Sequence, residues 1–305
     1  MAIPALMLGF QISGWIFFSA SIRDGHPDFR ANYTAGYLTR SGRVSDIYNY
    51  DAVKQVQDGL ISHEPVGMPF IHPAYEALFF APYGFLSFHG AYFAFLATNL
   101  ILLAICYRLV RSKLNGLAHT WQLLPAGLFV TFLPVAAALM QEQDSILLLT
   151  LLTFAYVMLD GNRDMTAGLL AGLGLFRLQL AIPIAVAFLL WRRWRFLSGF
   201  ALSAATVICT SVWLTGISEA KRYLGQLASM SIGGSSQLDT LRYAQPITHM
   251  GNLRALIFGL TSEWLSPHWG QILTISLSAV LMLSLTPFGR NCLAPMPYWW
   301  QLQQA

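Results

Sequence analysis

Two charged residues in an otherwise lipophilic chain have the types that group transfer needs. Asp28 stands a few residues after the first long apolar run, and Arg177 is the basic residue inside a later one. A carboxylate at a water-lipid boundary can take the proton of an acceptor hydroxyl, general-base help worth roughly 10² to 10⁴ in rate. A guanidinium can hold a phosphate through paired, charge-assisted hydrogen bonds. Together they would suffice for displacement on a lipid-borne sugar phosphate. A glycosidase needs a second carboxyl to protonate an alkoxide leaving group, whereas a phosphate, with a second pKa of about 6, departs largely unprotonated. One direct displacement inverts the anomeric centre. Arg254 is a second candidate for the phosphate.

Each residue also has a plainer role open to it. Asp28 follows His26-Pro27 and could cap the helix FRANYTAGYLT, worth about 1 kcal/mol. Arg177 could snorkel or pair with Asp144 or Asp164. Gln143 and Asp144 could simply end two helices, Arg254 could anchor at headgroups, and His72 and His249 could make local hydrogen bonds.

The elements that must position these residues lie in a membrane. With 55% hydrophobic and 10% charged residues, and several apolar runs near the ~20 residues that span a bilayer, the chain is an integral, all-α membrane protein. Its net charge of +4 gathers at span ends and includes no basic aromatic patch for nucleic acid. Cys106, Cys209 and Cys292 are far apart and lack zinc-ligand spacing, so neither disulfide nor metal is expected. No Asp-x-Asp triplet occurs; Glu142 and Asp144 with Asp28 are the acids from which a hard cation would have to be held.

Spans are predicted at about 2–21, 88–107, 120–140, 145–159, 196–215 and 270–287, in a single catalytic domain covering 1–305, with 22–87 as a long outer loop. Short basic clusters at Arg108, Arg111 and Lys113 and at Arg192, Arg193 and Arg195 belong on the cytoplasmic side. The outer loop, the tip 141–144 and the segment 217–270 then share the opposite face. Residues 165–191 must start and finish inside, yet roughly 27 residues of helix reach only ~40 Å, short of the ~60 Å that two crossings need. A short broken hairpin turning near 172–177 follows; the competing arrangement is one tilted span with a basic cluster on the wrong side. The proline-rich segment 62–83 reads as interfacial, with Phe70, Tyr75, Phe79 and Phe80 in the headgroup zone, as does 252–264.

Five stretches in order, DFRANYTAGYLTRSGRVSDIYNY, HPAYEALFFAPYGFL, QEQDSILLLTLL, AGLLAGLGLFRLQLAIPIAV followed by WRRWR, and HMGNLRAL, make the chain resemble glycosyltransferase family 87 from about 28 to 256. The resemblance implies a C-type glycosyltransferase bundle in the plasma membrane, with its active site on the extracytoplasmic face. It further implies a polyprenyl-phosphate hexose donor, typically mannose in β linkage, and a lipid or glycan acceptor that receives it in α linkage. It puts the catalytic carboxylate at Asp28 and the donor phosphate on Arg177, where the family usually has lysine, with Arg254 beside it. His72, Gln143, Asp144, Gln179 and Asn252 are the expected substrate contacts, and no cofactor is implied. The family's Gly-Gln at the second tip is Glu142-Gln143 here, and its His-Pro-Pro is His72-Pro73-Ala74. Members usually carry further C-terminal spans, whereas LTPFGRNCLAPMPYWWQLQQA does not resemble one, so the chain is expected to be incomplete there. A secondary transporter would also use a broken hairpin with a buried charge, but would show paired halves. A silent lipid-binding protein would keep the spans without needing both charges.

Overall fold

The computed structural model describes residues 2–120, 123–232, 253–261, 264 and 266–292, and every regular element among them is helical. In chain order the helices are α1 (Ala2–Arg23), α2 (Phe29–Arg40), α3 (Tyr50–Leu60), α4 (Ala74–Phe80), α5 (Phe88–Val110), α6 (Asn115–Thr120), α7 (Leu124–Thr131) and α8 (Leu133–Gln141). They continue as α9 (Ser145–Asp160), α10 (Asp164–Leu173), α11 (Leu178–Leu190), α12 (Trp194–Thr215), α13 (Ile217–Ile232), α14 (Leu253–Thr261) and α15 (Pro267–Cys292). Three helical stretches among the described residues are long and apolar enough to cross a membrane: Phe88–Leu114, Asp164–Leu190 and Trp194–Thr215. Large apolar side chains such as Phe93, Leu180 and Trp213 stand exposed on these long stretches, as lipid-facing positions would.

Length and hydropathy would let Asp164–Leu190 cross once, but its ends come back together. The Arg193 guanidinium, just past α11, donates to both Asp164 carboxylate oxygens at the start of α10, each at 2.8 Å. Between the arms, Gly174–Arg177 tightens into a 3₁₀ turn. That turn is pinned by Tyr75, whose hydroxyl donates to the Leu173 carbonyl at 2.7 Å and accepts the Phe176 N–H at 2.9 Å. At the other end of the bundle α10 lies directly on α12. A Cβ at Gly168 would run into the Phe196 carbonyl, and one at Gly199 into that of Met165, so backbone meets backbone only because both residues are glycine. Phe188 of α11 stacks on Phe196 beside this contact, with ring centroids 3.7 Å apart.

Two expectations need correction. The span at 120–140 is instead two short helices, α7 and α8, broken at Phe132, whose backbone is extended ahead of Leu133-Pro134; proline lacks the N–H that would continue the bonding of α7 and is accommodated in the first turn of a new helix. In the segment 62–83 the aromatic residues expected at headgroups are partly packed inside the protein. Phe70 and Phe80 are buried, and Glu76 is only 2% exposed. The prolines break the segment into extended chain and short α4, which folds back against α2 and α12 rather than spreading along an interface.

Candidate functional site

The tripeptide Asp28-Phe29-Arg30 sends its three side chains in three directions, which fixes the start of α2. Phe29 is fully buried in an aromatic cluster with Phe80, Phe88, Tyr92 and Phe95, stacking on Phe95 at 5.3 Å. Arg30, also buried, clamps the outer loop: its Nε donates to Gln57 Oε1 at 3.1 Å, and its Nη1 and Nη2 donate to Ser62 Oγ and the Ser62 carbonyl at 2.7 Å. Asp28 is left pointing into a cavity. It sits at the N-cap position but makes no capping bond with its side chain. Its Oδ2 accepts from Gln143 Nε2 at 2.6 Å, and its backbone N–H donates to Gln141 Oε1 at 3.0 Å. The loop after α1 and the tip between α8 and α9 are thereby joined across 115 residues of sequence.

The cavity measures about 450 Å³, within the usual range for small-molecule sites. Asp28 and Asn32, one turn apart on α2, form one wall; the extended segment 66–72 forms another; Gln143 and Arg177 close it. The extended wall is held by a peptide-like pair of bonds, Gln57 Nε2 to the Met68 carbonyl at 2.7 Å and the Met68 N–H to Gln57 Oε1 at 2.8 Å. Arg177 reaches the cavity from the 3₁₀ turn while bonding Asp144: its Nε and Nη2 both donate to Asp144 Oδ1, the former at 2.8 Å.

Behind this wall lies a second polar group. His72 Nδ1 is 2.6 Å from Glu76 Oε2 and 3.2 Å from Asp144 Oδ2. His72 is placed by Tyr48, whose hydroxyl donates to the His72 carbonyl at 2.8 Å. Burial pushes Glu76 well above the ordinary carboxylate range, His72 opposes that shift and the Asp144 charge adds to it. Burial works against the charged form of His72, but the facing Glu76 and Asp144 carboxylates outweigh it and raise its pKa. One ligand atom from each of His72, Glu76 and Asp144 lies within 4.8 Å of the others, close enough to surround a metal ion. Glu142 is not part of this group. It turns the other way, accepting from Asn99 Nδ2 at 2.8 Å, and burial raises its pKa to about 8. Its backbone is left-handed, φ 50°, a conformation that costs a non-glycine residue about 1–2 kcal/mol, and the Asn99 bond offsets part of that.

Of the residues singled out in the sequence, Asp28, His72, Gln143 and Arg177 line the one cavity, and Asp144 lies just behind it on Arg177. Gln179 is exposed and is not among the lining residues. Arg254 falls in α14 with its side chain outside the described residues; Asn252 and His249 lie outside them altogether. Glu76 was passed over as part of an apolar segment. The signal was present in His72-Pro-Ala-Tyr-Glu76, an i, i+4 pair that comes onto one face once α4 forms.

No curated protein and no solved structure matches the chain. The sequence profile of glycosyltransferase family 87 matches residues 70–294, starting after Asp28 and taking in His72, Glu76, the Gln143-Asp144 tip and Arg177. A helical bundle with membrane-length apolar stretches, a polar cavity at one end and a match over well over half of its residues place the chain in glycosyltransferase family 87.

Proposed function

We propose that this glycosyltransferase moves a hexose, with mannose the first candidate, from a polyprenyl-phosphate donor to a lipid or glycan acceptor by a single inverting displacement. The observation that carries this reading is the shared cavity of Asp28 and Arg177. Asp28 takes the acceptor hydroxyl proton as general base while Gln143 holds its Oδ2 and so fixes the direction of its other oxygen. Arg177, which lines the cavity, holds the leaving phosphate, and its bonds to Asp144 keep the guanidinium plane fixed.

An apolar cavity of about 330 Å³ adjoins the same turn, with Leu175 and Leu178 on either side of Arg177 among its lining residues, together with Val207, Val212 and Leu224. A phosphate at Arg177 would leave its isoprenoid tail within reach of that wall. The basic clusters support the cavity's facing the extracytoplasmic side. Lys113 pairs with Asp160 at 2.9 Å and Arg193 with Asp164 at 2.8 Å, at the ends of α9 and α10 remote from the Gly174–Arg177 turn.

The test is sugar transfer by purified Asp28→Asn from polyprenyl phosphate mannose in detergent or liposomes. The rate is expected to fall at least ~100-fold with thermal unfolding unchanged. Transfer at the parental rate would overturn the base assignment.

A further inference from the structure

Glu76 is a deeply buried acid that glycosyl transfer does not use. Its side chain is 1% exposed, and neither carboxylate oxygen makes an aligned hydrogen bond. The same holds for Asp144 Oδ2, whose residue is fully buried, and for His72 Nδ1. Four buried polar atoms therefore converge at 2.6 and 3.2 Å without an aligned hydrogen bond among them, against a norm in which nearly all such atoms are satisfied. Arg177 neutralises Asp144 through Oδ1 alone, leaving Oδ2 turned toward a second carboxylate and an imidazole. Two carboxylates taken from water and pressed together call for a cation or a proton between them.

We propose that His72 Nδ1, Glu76 and Asp144 Oδ2 form a binding site for a divalent first-row cation of the zinc or manganese kind. One imidazole nitrogen with two carboxylates suits such ions, whereas magnesium favours oxygen and retained water. Ligand atoms ~2.0–2.2 Å from a tetrahedral ion stand roughly 3.4 Å apart. The 3.2 Å between His72 and Asp144 already matches that spacing, and the 2.6 Å between His72 and Glu76 needs only a small opening. The three ligands come from the extended segment before α4, from the first turn of α4, and from the tip before α9. A cation there would fasten the first outer loop to the second tip directly behind the cavity wall, with Arg177 held on the far oxygen of Asp144. The ion acts here through position and charge, and its binding does not depend on which donor the enzyme uses.

The full chain, purified in detergent, stripped with EDTA and returned to chelator-free buffer, is titrated calorimetrically with ZnCl₂, MnCl₂ and MgCl₂, with no sugar donor present. About one equivalent of zinc or manganese is expected to bind and to raise the thermal midpoint, with magnesium at least tenfold weaker. Glu76→Gln, nearly the same shape, is expected to lose 10-fold to 100-fold in affinity, and His72→Asn serves if that variant does not fold. Glu64→Gln, at the exposed His26–Glu64 pair, controls for surface binding and should bind as the parent does. Absence of stoichiometric binding to the folded parent, or equal binding by Glu76→Gln and the parent, would overturn the site and leave a proton shared between His72 and Glu76 as the bridge.

Discussion

The two ends of the helical hairpin formed by α10 and α11 are held together in opposite ways. At the end near Asp164, α10 and α12 touch through their backbones at Gly168 and Gly199, and Phe188 lies flat on Phe196. Its ion pair, Arg193 on Asp164, is closed, with both carboxylate oxygens bonded. At the other end, thirteen residues on from Asp164, Arg177 holds one oxygen of Asp144 and leaves the other facing unsatisfied groups beside a cavity. Close packing stabilises the first end with atoms that have no other use. The second keeps buried polar groups in contact but without aligned hydrogen bonds, beside a cavity where something else can bind.

This contrast can be broken from either side. Gly168→Leu should have the largest effect, because its side chain would have to occupy the Phe196 carbonyl; the variant is expected not to be recovered as folded protein, which size-exclusion chromatography in detergent would show. Gln143→Ala should do the reverse. Losing the 2.6 Å bond to Asp28 removes a charge-assisted contact worth about 1.5–3 kcal/mol, so the turnover rate is expected to drop about tenfold or more with the unfolding temperature nearly unchanged. A fall in stability without a fall in rate would put Gln143 with the packing residues. Tyr75→Phe should be the mildest. It removes two neutral bonds at the Gly174–Arg177 turn, about 1 kcal/mol each, and is expected to loosen Arg177 and raise the KM for donor while kcat holds. An unchanged KM would show that the turn keeps its shape without the hydroxyl.

The second tip illustrates how far the sequence could be followed. The departure from Gly-Gln at Glu142-Gln143 pointed to a position where backbone conformation matters, and Glu142 does adopt the left-handed conformation that glycine takes freely. What kept it tolerable, the bond to Asn99 from the middle of α5, comes from a residue that reads as one more position in an apolar run. Phe70 and Phe80 were misjudged for a related reason. Aromatic residues among prolines suit a membrane interface and a packed core equally well, and only the fold-back of α4 onto α2 decides between them.

By itself the sequence determined the helical, membrane-bound character of this protein, the break at Arg177 and the isolation of Asp28, because composition, period and the cost of a charge among apolar residues are local quantities. Tertiary structure decided that Asp28 faces Gln143 instead of capping its own helix, that Arg177 shares Asp144 with a cavity, and that Glu76 turns inward to meet His72 and Asp144. Each of these depends on distances across many tens of residues, and the competing partners of a charge differ by only a few kcal/mol, a choice that packing makes and spacing along the chain does not.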